Sequence, residues 1–206
     1  MVFELFFLAF ALTTVIALIG AAIVTLRGRR ASALRVLRNL GIAWALYLTI
    51  VAVVSATTRQ RVIPKDGDQC FDEMCFSVAG VERLHTLGSP GGIQAEGQFY
   101  VLSIRVASRA LRRAQRENGI VARLWTPAQT FDVSPSGQQA YIAEHGPTPQ
   151  LTDRVQPGQS FVSVQVFEVP DGVSGLGLTI DHGVNPGLLV IGENPLFHKP
   201  TVIQID

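Results

Sequence analysis

The chain is 206 residues long, has a formal net charge of +1 and contains two cysteines. The near-neutral total hides a division: residues 1–65 carry eight basic residues against Glu4 alone, a net of +7, while the remainder carries nine basic and fifteen acidic residues, a net of −6. A uniformly basic chain is thereby excluded, and a basic first segment is joined to an acidic domain.

Two uncharged apolar stretches, 5–26 and 40–58, come first. Each approaches the roughly 20 helical residues that a bilayer core requires, so the chain reads as a membrane protein anchored by a two-helix hairpin. A cleaved signal peptide is the competing reading of the first stretch. It lacks the basic start, is about twice the length of a typical signal core, and its arginines lie on the far side. Neither span carries an ionisable residue, which argues against an ion or proton pathway through the pair. Trp44 and Tyr47 are expected near the cytoplasmic interface, and the small-residue pairs Ala17/Ala21 and Gly41/Ala45 would let the helices pack.

Arg27, Arg29, Arg30, Arg35 and Arg38 crowd the 27–38 loop between the spans. Short arginine-rich loops stay cytoplasmic, which puts both the N-terminus and the C-terminal domain outside a multi-pass protein of the cell membrane; Arg59, Arg61 and Lys65 argue weakly the other way. The linker arginines would lie against anionic headgroups, each contributing about 1 kcal/mol.

The division expected is an anchor over 1–61, a linker over 62–74 and a β domain over 75–206. In 98–108, Tyr100, Leu102, Ile104 and Val106 alternate with Ser103 and Arg105, the pattern of a half-buried strand. In 160–169, Val162, Val164 and Val166 alternate with Ser163 and Gln165, and Pro170 with Asp171-Gly172 ends the run. Further strand candidates are 75–84, 121–125, 130–133, 140–143, 176–180, 188–191 and 201–205. Short strands at this spacing predict a membrane-anchored all-β protein with an antiparallel sandwich. Segment 107–116 reads as a weak helix or a long basic loop.

Cys70 and Cys75 lie just beyond the second span, where an oxidising compartment permits a disulfide, with free thiols or metal ligation as the alternatives. Closing so short a loop stabilises by roughly 2 kcal/mol. The metal alternative is copper or redox handling on the soft sulfurs of Cys70, Met74 and Cys75. The single histidines His85, His145, His182 and His198 do not extend that set, and Asp66, Asp68, Asp72 and Glu73 miss the calcium-loop pattern and read as a solvated acidic linker.

No catalytic residue and no cofactor is assigned. Ser134-Pro135-Ser136-Gly137 reads as a turn rather than a nucleophile elbow, and the glycines of 172–177 precede a strand rather than a helix. Arg105, Arg109, Arg112, Arg113, Arg116 and Arg123 form a basic cluster in the acidic domain, a possible partner surface for an acidic protein, an envelope polyanion or lipid headgroups. Nucleic acid is excluded as a partner by the outside placement and by the lack of aromatic residues among these arginines.

Residues 157–161, 166–170 and 176–180, with Ile191-Gly192 and His198-Lys199-Pro200-Thr201, form an order of landmarks over about 74–206. This order resembles the bacterial extracytoplasmic modules of domain-of-unknown-function family 4352. The resemblance implies an immunoglobulin-like β-sandwich tethered at the membrane and brings no catalytic residues. A non-enzymatic role follows as the expectation: display of the sandwich to bind a protein in the membrane or envelope, or to stabilise a membrane complex.

Overall fold

The structure is a computed structural model describing residues 2–88, 91–182 and 200–205, with side chains omitted for residues 2–4 and 182. The strand expected at 188–191 and most of the closing family landmarks lie outside the described residues. Two compact units are present, a helical one up to Arg59 and a β domain from Gln60 onward.

The helical unit consists of α1 (Val2–Leu26) and α2 (Arg30–Thr57). The connection is only 27–29, so the loop expected over 27–38 is mostly helix, with Arg30, Arg35 and Arg38 on the first turns of α2. Arginine is nearly as good a helix former as leucine, so the helix starts well before the apolar run does. The helices meet through aromatic residues: Phe10 packs against Trp44 and Tyr47 at ring distances of 4.9 and 5.3 Å. The Trp44 indole N–H donates to Thr14 Oγ1 at 3.1 Å. Tyr47 is therefore buried between the helices. Of the small-residue pairs, Ala21 is buried, whereas Gly41 has open space where a Cβ would stand and Ala45 is exposed.

The β domain is a sandwich of two sheets. One is formed by β2 (Gln69–Phe71), β3 (Met74–Leu87), β4 (Ile93–Ser108) and β7 (Ser160–Val169), in that order and antiparallel throughout. The other runs β1 (Val62–Ile63), β9 (Val202–Gln204), β8 (Gly177–His182), β5 (Ile120–Trp125) and β6 (Thr130–Phe131). Its pairings are antiparallel except that β1 lies parallel to β9. Segment 62–74, expected as a linker, thus contributes β1 and β2 to the domain.

Alternation fills the space between the sheets. Phe76, Leu102, Ile104, Val106 and Phe167 come from the first sheet, and Leu124, Leu178, Ile180 and Ile203 from the second, all fully buried or nearly so. On β7 the inward face differs from expectation. Register pairs Ser163 with Ile104 and Phe167 with Tyr100, so the odd-numbered residues face the core. Ser163 is completely buried there and accepts a hydrogen bond from Gln165 Nε2 at 3.1 Å. Val164 and Val166 face outward and pack with Leu87, Phe99 and Val101 in a second cluster.

That second cluster is covered by α3 (Pro135–His145), through Ala140 and Tyr141. Segment 134–137 is thus a helix start and 140–143 is helix rather than strand. Ser134 accepts from the Gly137 N–H at 3.2 Å with Pro135 in the first turn, a cap that contributes about 1 kcal/mol. Gln138 substitutes for a neighbouring strand at the free edge of β7. Its Nε2 donates to Val164 O at 3.0 Å, and its Oε1 accepts from the Val166 N–H at 2.9 Å. An open edge with unpaired backbone groups is thereby closed.

Candidate functional site

Strand directions place several connections at one end of the sandwich. Ile120 pairs with His182, and Val62 with Val202, so the chain enters β1 at the end of its sheet where β5 begins. In the other sheet Met74 pairs with Ser108 and Ala107 with Ser160, which brings the β2–β3 turn and the loop after β4 to that same end. The site built there consists of a disulfide hairpin and the basic loop 109–119.

In the hairpin, Cys70 stands opposite Cys75 in register, with Asp72 and Glu73 forming the turn between Phe71 and Met74. Asp72 takes φ of +48°, a left-handed conformation that Asp tolerates. Directly facing positions bring the two sulfurs together, and they are joined as a disulfide. Gln69 ties this edge to the opposite sheet, its Nε2 donating to Ile180 O at 2.8 Å.

Replacing Cys70 and Cys75 together by serine is expected to lower the stability of the β domain by about 2 kcal/mol. Denaturant unfolding of the full chain in detergent reads this directly, and an unchanged midpoint would remove the cross-link from the account of stability.

Asp68, Cys70 and Cys75 have ligand atoms within 4.8 Å of one another, the one cluster of metal-ligating type among the described residues. In the disulfide both sulfurs are bonded to each other, and Met74 is buried in the core between the sheets. The structure therefore does not bring Cys70, Met74 and Cys75 together as three open sulfur ligands.

The basic loop is fastened to the hairpin at its stem. The Arg109 N–H donates to Glu73 O at 2.7 Å, and its guanidinium meets Asp68 at 2.8 Å. Gln115 Nε2 donates to the Glu73 carboxylate at 2.8 Å, and Gln115 exchanges backbone hydrogen bonds with Val155. Asp68 and Glu73 are thus partners of the loop and not members of a free acidic linker. Segment 107–116 is the end of β4 followed by this loop, and contains no helix.

Beyond the stem the tip is bare. Leu111 is 90% exposed, and Arg112, Arg113 and Arg116 are exposed and form no ion pair or hydrogen bond among the described residues. Arg105 is set apart on the outer face of β4, opposite Ser77 and Val162. Arg123 is engaged by Asp132 at 2.7 Å and Asp181 at 3.5 Å on the other sheet. Sequence reading missed Arg154, which is exposed beside the Val155 bridge and so joins this end. Its signal lay in long-range pairing, which no local pattern carries.

The opposite end of the sandwich holds an open cleft of about 440 Å³ lined by Glu96, Gly97, Phe131, Glu168 and Pro170. There the Glu96 N–H donates to Glu168 Oε1 at 2.8 Å. His85 and His145 each contact a backbone carbonyl, of Gly97 and Tyr141 respectively, and lie apart from the hairpin cluster.

No family model matches the chain, and no curated protein matches it. Solved structures similar to it include a conserved hypothetical protein from Bacillus anthracis, at 13% identity over 56% of this chain and 86% of that one, with a TM-score of 0.45. The YjhA protein from Bacillus subtilis is 13% identical over 71% of this chain and all of that one, with a TM-score of 0.45. An uncharacterised β-sandwich protein from Clostridium difficile is 9% identical over 72% and 96% of the two chains, with a TM-score of 0.40. Likeness at this level carries no argument about what the chain does.

Proposed function

We propose that the protein is a membrane-tethered display module. Its two N-terminal helices cross the bilayer as a hairpin, with Arg27, Arg29, Arg30, Arg35 and Arg38 on the cytoplasmic side, and its immunoglobulin-like sandwich stands outside the cytoplasm. The sandwich binds a protein partner or steadies a membrane complex without catalysing a reaction. The observation that carries this reading is the Cys70–Cys75 disulfide in the domain that follows the helices, since such bonds persist in oxidising compartments.

Two further observations support it. The apolar side chains of α1 and α2 are largely unshielded, with Leu12 63% and Leu46 62% exposed, a surface suited to lipid and unsuited to water. The connection Arg27-Gly28-Arg29, basic and without an acidic residue, fits the charge asymmetry of cytoplasmic loops.

Fusing a reporter that is active only outside the cytoplasm after Asp206 should give signal, and inserting it at Gly28 should give none. An inverted pattern would overturn the placement. Crosslinking followed by purification in mild detergent should then recover a stoichiometric partner, whereas a chain that is always alone would count against the binding role.

A further inference from the structure

We propose that the tip of the basic loop is a bilayer contact: Arg112, Arg113 and Arg116 bind anionic lipid headgroups while Leu111 enters the interface between headgroups and acyl chains. The proposal deepens the display reading and rests on it, since it requires the helices to be in the membrane.

Three features converge on this assignment. The first is covalent reach. Between Thr57, the last residue of α2, and Val62, the first of β1, lie four residues, which span at most about 18 Å when fully extended. Strand pairing puts Val62 at the same end of the sandwich as the start of β5, and so as the loop that precedes it. The end carrying the arginines is therefore the end to which the anchor is attached.

The second feature is charge. Segment 109–116 holds four arginines and no acidic residue. At the stem Asp68 and Glu73 are occupied by Arg109 and Gln115, and Glu117, which follows Arg116 directly, is itself engaged. Arg112, Arg113 and Arg116 are left as cations without a partner among the described residues, on a domain that is otherwise acidic. Arginine presents a planar fork of donors suited to phosphate oxygens.

The third is shape. The stem is fixed by backbone bonds to Glu73 and Val155, and between these ties Leu111 is 90% exposed, with Arg112 and Arg113 exposed beside it. A protein interface is usually anchored by aromatic side chains in a packed, desolvated patch, and this tip has no aromatic residue. One leucine flanked by arginines is the minimal form of an interfacial anchor, an apolar insertion with electrostatic attraction around it. Such a contact would be too weak alone, but the tether raises its effective concentration to the millimolar range, on the order of what short flexible linkers provide.

The test uses the full chain carrying Leu111→Trp, reconstituted into nanodiscs of phosphatidylcholine alone or of phosphatidylcholine with phosphatidylglycerol. Emission is compared with that of the unsubstituted chain, which contains Trp44 and Trp125. A blue shift and quenching by brominated lipid are expected only with phosphatidylglycerol, and both should be reversed by ~0.5 M salt. Each of Arg112→Gln, Arg113→Gln and Arg116→Gln should lower the bound fraction's equilibrium constant by about fivefold.

Emission that is indifferent to lipid charge overturns the proposal. Shielding that appears only in native membranes and never in the nanodiscs also overturns it, and assigns the tip to a protein. Alkaline extraction of native membranes separates the two levels: a chain that is released overturns the tether and the lipid contact together, whereas a retained chain with an indifferent tip overturns the lipid contact alone.

Discussion

Phe167→Ala is expected to destabilise the sandwich by about 3–5 kcal/mol, a large part of the total stability of a domain this size. Phe167 is completely buried, packs among the residues that fill the space between the sheets, and bridges to Val133 just before α3. Truncation removes the apolar area and leaves a cavity that two closely paired sheets cannot collapse to fill. Val162→Ala is the control on the same strand, because Val162 is 42% exposed; its cost should stay within about 0.5 kcal/mol. Denaturant unfolding of the full chain in detergent compares the two. Coincident midpoints would show that Phe167 does not hold the core together.

Gly97→Ala is expected to cost about 3 kcal/mol by a different mechanism, overpacking against backbone. A Cβ at Gly97 would run into the Val169 carbonyl oxygen and would lie 2.7 Å from Pro170 Cα and 2.8 Å from the Asp171 nitrogen. None of these atoms belongs to a flexible side chain, so relief requires β4 to move away from the turn that follows β7. Gly80→Ala tests whether the effect is specific to this close approach. At Gly80 the nearest atom is Ser103 Cβ at an ordinary 3.7 Å, so its loss should be well under that of Gly97→Ala. The same thermal or denaturant midpoint reads both, and equal losses would mean that any strand glycine matters equally. Since Gly97 also lines the acidic cleft, the distortion would reshape the wall between Glu96 and Pro170.

What was legible in the sequence follows from where local pattern and tertiary role coincide. Strand β7 could be read to its ends because Val162, Val164 and Val166 alternate with Ser163 and Gln165 in its middle, and Pro170 then removes the next donor. Which of its faces looks inward could not be read, since both are buried: one by the opposite sheet, the other by α3. Helix α3 was hidden for a related reason. It buries little of its own length and meets the sheet mainly through Ala140 and Tyr141, so it has no apolar stripe; its local signs were confined to its ends, Ser134-Pro135 at the start and His145-Gly146 at the finish. Strands β1 and β2 hold two and three residues, too few for any period, and exist because β9 and β3 offer them partners.

The candidate site divides along the same line. The cysteine spacing and the run of arginines were visible, as both are local. Their convergence was not, because it depends on β3 and β4 pairing so that Met74 meets Ser108. That register converts two separate sequence features into one surface, and separates Arg105 and Arg123 from it.

The disulfide hairpin also determines how the domain would carry mechanical load. Tension arriving along the chain from α2 meets β1 first, and two residues paired with β9 on one side can be stripped away with little work. The next segment could peel in turn as far as Cys70, where the covalent link to Cys75 passes the pull into β3. That strand is held along most of its length by β4, so unravelling from the tether side stops at the sulfur bridge and the sandwich is loaded through one of its longest ladders.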